Sequence, residues 1–151
     1  MLGRVGAALV ATVALTGAAL TAQTPAQITA PTIVVYKTPT CGCCQKWVEH
    51  LQGNGLKVLT QHRDDLSPLR AQHGVPASLT SCHTALVGSY VVEGHVPAAD
   101  VKRLLSEKPA IKGIAVAGMP IGSPGMEGGT PQKFDTVAFT ADGKTTVFAR
   151  H

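Results

Sequence analysis

Three thiols lie within four residues at Cys41-Gly42-Cys43-Cys44, and a fourth stands at Cys82, beside His83. Cys41 and Cys44 have the C-x-x-C spacing of a dithiol/disulfide couple. Cys43 adds a sulfur that such a couple does not require. Thiolates crowded in this way also suit Cu(I), Zn(II) or another thiophilic ion. Electron exchange and metal ligation are therefore both open on the residues alone. Two structural disulfides form a third arrangement, and an awkward one. A bond between the neighbours Cys43 and Cys44 strains the peptide, and every other scheme staples Cys82 to the cluster.

Other side chains offer softer or weaker donors. His83, next to Cys82, is a nitrogen candidate, or else a hydrogen-bonded strand histidine. Met119 and Met126 supply thioethers, which favour Cu(I) over Zn(II). A methionine pair more often fills a core, but this one sits in a Gly/Pro-rich segment. His95 either approaches the site from one side or caps the next helix. His50 reads as a helix-surface residue near Trp47, and His62, His73 and His151 as solvated. Asp64 and Asp65 precede Ser67-Pro68, where helix-dipole complementarity accounts for them.

The elements that must position these residues follow from periodicity and turn chemistry. Residues 32–36, Thr-Ile-Val-Val-Tyr, form a β-branched, aromatic strand broken by Thr38-Pro39-Thr40. A helix follows, with Cys44, Val48 and Leu51 on one stripe and Cys43, Trp47 and His50 on the next, stopped by Gly53 and Gly55. Such a helix places unpaired N–H groups and its positive end at the cysteines, stabilising a thiolate. On this placement Cys41 is the more exposed, nucleophilic thiol and Cys44 the more buried, resolving one. Residues 56–60 read as a second strand. Ser67-Pro68 reads as an N-cap and first-turn proline of a helix through about His73. Gly88-Ser89 joins strands at residues 84–87 and 90–92 into a hairpin. Pro97 opens a helix with Val101, Leu104 and Leu105 inward, closed by Pro109. Residues 113–130 read as a Gly/Pro/Met loop. Asp142-Gly143 turns a C-terminal hairpin of residues 134–140 and 145–149. The class is α/β, and the order β-α-β-α-β-β-α resembles a thioredoxin-like fold. That resemblance implies that Pro76 is a cis-proline beside the cysteines.

The whole chain sets outer bounds. Its 151 residues suit one domain. Residues 1–22 read as a secretory signal: Arg4, then an uncharged run of small apolar residues too short for a span, then Ala22. A stable membrane anchor after processing is not expected. Residues 23–31 read as a linker and residues 32–151 as the metal-binding domain. Export places the thiols where disulfides persist. The net charge of +4 is scattered, with no basic run and no interleaved aromatics, which argues against nucleic acid. Gly122-Ser123-Pro124-Gly125 lacks the lysine of a P-loop.

Five motifs occur in order: Cys41-Gly-Cys-Cys-x-x-Trp47-x-x-His50, Gly74-Val-Pro76, Ser81-Cys-His-Thr84, Glu93-Gly-His-Val-Pro97 and Gly118-Met-Pro-x-Gly-Ser-Pro-Gly-Met126. Together, over about residues 32–127, they resemble an exported bacterial copper-tolerance family of the periplasmic CopG type. Ala117 departs from the proline often found at that position. The resemblance implies a thioredoxin-like fold, a periplasmic location and copper homeostasis. It implies copper binding through the clustered cysteines, and with the soft donors above the expected ion is Cu(I), held by Cys41, Cys43, Cys44 and Cys82, with His83, Met119 and Met126 as second-rank candidates. More than one copper per chain and other periplasmic copper-handling proteins as partners fit the same picture. Cys41 and Cys44 are then the redox-active pair, coupling Cu(II)/Cu(I) to dithiol/disulfide. The competing expectation is a thiol–disulfide oxidoreductase acting on exported proteins, which leaves Cys43 and Cys82 without a task.

Overall fold

The computed structural model describes residues 31–151; the expected signal segment and all of the expected linker but Pro31 lie outside the described residues. Seven strands form one sheet: β1 (Ile33–Lys37), β2 (Val58–His62), β3 (Thr84–Val87), β4 (Tyr90–Glu93), β5 (Gly113–Ala115), β6 (Asp135–Phe139) and β7 (Thr145–Arg150), ordered β2-β1-β3-β4-β5-β6-β7. Three helices accompany them: α1 (Gly42–Gly53), α2 (Ser67–His73) and α3 (Ala98–Glu107). The chain is a mixed α/β structure, and its elements up to α3 run in the expected β-α-β-α-β-β-α order.

The pairing follows from the connections. β1 and β2 are parallel across α1, and β4 and β5 are parallel across α3, because a parallel return needs a long crossover. β3 and β4 pair antiparallel across the two-residue turn Gly88-Ser89, with Thr84 opposite Glu93. β1 alternates Ile33, Val35 and Lys37 inward. On that face Ile33 and Val35 pack with Trp47, Val48 and Leu51 of α1 and Val101 and Leu104 of α3. Each such side chain taken fully out of water contributes roughly 1.5–3 kcal/mol. The Trp47 indole also donates to the Val96 carbonyl at 2.8 Å, pinning α1 to the segment that leads into α3. The opposite face carries a smaller cluster of Leu79, Val91, Ala115 and Phe139.

Several expectations need correction. The segment 113–130 is not all loop: its first three residues are β5, fully buried between β4 and β6. A three-residue strand that begins with glycine has no readable alternation. The C-terminal hairpin forms as β6 and β7, and it extends the main sheet through β5. Ser67 is the first residue of α2 rather than its cap; the Asp65 carboxylate accepts the Ser67 amide at 2.8 Å. No cis peptide bond occurs among the described residues, so the bond before Pro76 is trans, and Pro76 leads into a short 3₁₀ turn, Ala77–Leu79. His50 is half-buried, and its Nε2 accepts the Ala98 amide at 3.1 Å, at the start of α3. His151 stacks on Phe134 and places Nε2 2.9 Å from the Asp100 carboxylate, so it is not a free solvated side chain.

Candidate metal and redox centre

The first turn of α1 and the entry to β3 bring the four sulfurs together. Cys41 is the N-cap of α1, and its Sγ accepts the Cys44 amide at 3.3 Å. Cys41 and Cys44 are joined as a disulfide, their Cα atoms 5.3 Å apart, while Cys43 and Cys82 are free. Cys44 is buried, whereas Cys41, Cys43 and Cys82 are half-buried. The Cys43 sulfur lies 3.5 Å from that of Cys41 and 3.9 Å from that of Cys82. All four sulfurs fall within 4.8 Å of one another.

A second donor group shares Cys82. Its sulfur is 2.9 Å from His95 Nε2 and 3.3 Å from His83 Nδ1, and these three ligand atoms also lie within 4.8 Å of one another. His95 Nδ1 sits 2.8 Å from the Pro124 carbonyl, which can only accept. The proton is therefore on Nδ1, and Nε2 presents its lone pair to Cys82. Both rings are fully buried. His83 packs its ring 4.3 Å from Trp47 and 5.0 Å from His95, and its Nε2 is buried without a hydrogen-bond partner among the described residues. Burial, aided by His95, holds His83 down to about 3; burial likewise lowers His95. Both imidazoles are thus in the neutral form that binds metal. Burial, with Cys43 alongside, pushes the Cys82 thiol up to about 12. In the metal-free site Cys82 keeps its proton, and a bound metal displaces it.

The surrounding network holds this geometry. The buried Glu93 carboxylate spans both sides of Cys82-His83: one oxygen accepts the Ser81 amide at 2.8 Å and the other the Thr84 hydroxyl at 2.6 Å. Arg70 Nε donates to Glu93 at 2.9 Å, and its Nη2 donates to the Ser81 carbonyl at 2.5 Å. Burial still pushes the Glu93 carboxyl up, against the opposing pull of Thr84, Ser81 and Arg70. Gly94 has φ +73°, and a Cβ there would stand 2.4 Å from the Val116 carbonyl oxygen, so Glu93-Gly94-His95 requires its glycine. Gly125, φ +88°, brings the Gly118–Met126 loop onto α1: a Cβ there would lie 2.6 Å from the Cys43 carbonyl oxygen. Lys37 is 3 % exposed and donates to the Thr38 carbonyl at 3.2 Å. The Tyr36–Thr84 pairing places it opposite His83, on the same face.

Of the residues singled out from the sequence, the fold gathers Cys41, Cys43, Cys44, Cys82 and His83. Met126 is half-buried and hydrogen-bonded through its backbone to Gly122 and Ser123; Met119 is 51 % exposed. Neither thioether belongs to the hydrogen-bonded contacts of the site. Of the two readings open for His95, the structure shows the approach to the site, while Glu93, Arg70 and Lys37 were missed as site residues. For His95 the signal was present in the turn. A two-residue hairpin at Gly88-Ser89 pairs Thr84 with Glu93, and two steps further out Cys82 falls opposite His95.

The buried histidines give the metal-free protein a pH dependence. His83, His95 and His50 all sit below the ordinary 6.5 when folded. Between that value and the folded one the unfolded chain binds more protons, so stability is full above 6.5 and is lost as pH falls toward 3. The urea midpoint of reduced, metal-free protein is expected to be clearly lower at about pH 5 than at about pH 7.5. An unchanged midpoint would contradict neutral burial.

The family described as "Protein of unknown function, DUF411" matches residues 79–126, the span from the 3₁₀ turn through Met126. A solved structure of copper resistance protein copG, form 2, is 42% identical, with a TM-score of 0.77, covering 82% of this chain and 99% of that one. Form 1 of the same protein gives 42% identity and a TM-score of 0.77, covering 82% of this chain and 98% of that one. No curated protein matches the chain.

Proposed function

The chain belongs to the copG-type copper-resistance family, and from that premise we propose that it binds Cu(I) through its clustered thiolates and couples copper redox to its C-x-x-C pair. One observation carries the reading: four sulfurs lie within 4.8 Å, and one of them is shared with two buried histidines. A disulfide-exchange enzyme uses two sulfurs. The further pair and the neutral imidazoles form a soft donor set of the kind that suits Cu(I). Cys41, Cys43, Cys44 and Cys82 are the principal ligands in this proposal. His83 and His95 complete the set, and Met119 and Met126 serve as weaker donors. The core from β1 to α3 is read as thioredoxin-like. Residues 1–22 are read as a signal that delivers the protein to the periplasm, and no helix among the described residues is long and apolar enough to cross a membrane.

Copper is the substrate in this scheme. Two thiols reduce two Cu(II) to two Cu(I), forming one disulfide and releasing two protons. The closed Cys41–Cys44 disulfide is the oxidised product of that step. It also favours one alternative, thiol–disulfide exchange with exported proteins, in which Cys43 and Cys82 are dispensable.

Anaerobically reduced protein is expected to take Cu(I) from a chromophoric chelator, with free thiols disappearing as metal loads. Protein carrying the Cys41–Cys44 disulfide should bind less. Absence of uptake by the reduced form sinks the copper reading. Retention of insulin-reducing activity in Cys43→Ser and Cys82→Ser proteins would favour the exchange enzyme.

A further inference from the structure

With Cys41 and Cys44 already joined, the two remaining thiols stand 3.9 Å apart, sulfur to sulfur. We propose that Cys43 and Cys82 are a second redox couple, closing after the first, so that the centre stores four electrons rather than two. The inference rests on the reading of these thiols as a redox centre, and it assigns an electron count that the C-x-x-C spacing alone does not contain.

Geometry selects the pair. A disulfide needs its sulfurs at about 2.05 Å, so closure asks for an approach of roughly 2 Å from half-buried positions at the ends of two elements. Cys43's other close sulfur, that of Cys41, is already bonded to Cys44. Bonding to its neighbour Cys44 strains the peptide, which leaves Cys82. His95 Nε2, with its lone pair 2.9 Å from the Cys82 sulfur, stands where the Cys82 proton leaves. Each closure removes two protons and two electrons from two thiols; with Cu(II) as oxidant, two ions become Cu(I). Full oxidation therefore reduces four Cu(II) and leaves two disulfides.

The two steps have different consequences for bound metal. After the first, Cys43, Cys82, His83 and His95 still offer two sulfurs and two nitrogens. After the second no thiolate remains. Half-oxidised protein keeps a site, and fully oxidised protein releases what it held.

The test uses the reduced, metal-free chain under anaerobic conditions, titrated with diamide, which oxidises thiols without supplying a metal. Free thiols are counted by alkylation in denaturant, and the intact mass is recorded. The expected course is four thiols, then two, then none, with mass losses of about 2 and then about 4 Da. Peptide mapping should link the segment holding Cys43 to that holding Cys82. Cys43→Ser and Cys82→Ser proteins should each complete the first step and stop with one thiol. Two thiols surviving excess diamide would overturn the proposal, as would a second disulfide that joins separate chains. So would a Cys43→Ser protein that still links Cys82. Because diamide carries no copper, a failure of copper uptake leaves these outcomes unaffected, and each reading can fall without the other.

Discussion

Cys82→Ser is expected to lower Cu(I) affinity by more than about a hundredfold, since even partners one shell removed from a metal cost 10–100-fold. The reason lies in its double membership. Its sulfur is one of the four clustered thiols and also the atom facing His83 and His95. Serine nearly preserves size but offers a hard, protonated oxygen in place of a soft thiolate. The measurement is anaerobic competition against a Cu(I) chelator at one pH, with Met119→Leu alongside. The exposed methionine should change affinity much less. A Cys82→Ser protein within tenfold of the parent would remove Cys82 from the ligand set.

Glu93→Ala is the second large effect, and it acts on the scaffold. The carboxylate is fully buried, and it satisfies Arg70, the Ser81 amide and the Thr84 hydroxyl at once. Removing one partner of a buried ion pair leaves the other uncompensated and costs about 3–5 kcal/mol. Urea unfolding of reduced, metal-free protein should show that loss as a lower midpoint. Glu93→Gln keeps the shape and one acceptor, so it should fall between parent and alanine. The same carboxylate brackets Cys82-His83, so copper affinity should fall with it, by about 10–100-fold in the glutamine protein. A glutamine protein with parental stability and affinity would make the bracket irrelevant.

What could be read from the chain was local. The β-branched run before Lys37, the stripe Cys44-Val48-Leu51, Ser67-Pro68, Gly88-Ser89 and Asp142-Gly143 each carry their signal within a few residues, and each element formed. What could not be read depends on residues far apart in sequence. Arg70 meets Glu93 across 23 positions, and His151 meets Asp100 across 51. β5 is too short to show a period, and it is ordered by neighbours on both sides. Lys37 looks like a strand-end charge until its cross-strand neighbour is known. His95 was within reach, because the hairpin register alone sets it against Cys82. The thiol cluster and the adjacent His83 were visible in the chain, but the placing of His95 against Cys82 required counting outward from the turn.

Cys41 is both the cap of α1 and one end of the disulfide, so the state of its sulfur is also a property of the backbone. In the disulfide, its sulfur accepts the Cys44 amide as a neutral atom. As a thiolate it accepts the same proton with a full charge, and charge-assisted bonds are about twice as strong. A Cys41 thiolate therefore holds the first turn of the helix more tightly than the disulfide sulfur does. Gly125 packs against this turn, so the chemical state of two sulfurs bears directly on the contact between α1 and the Gly118–Met126 loop.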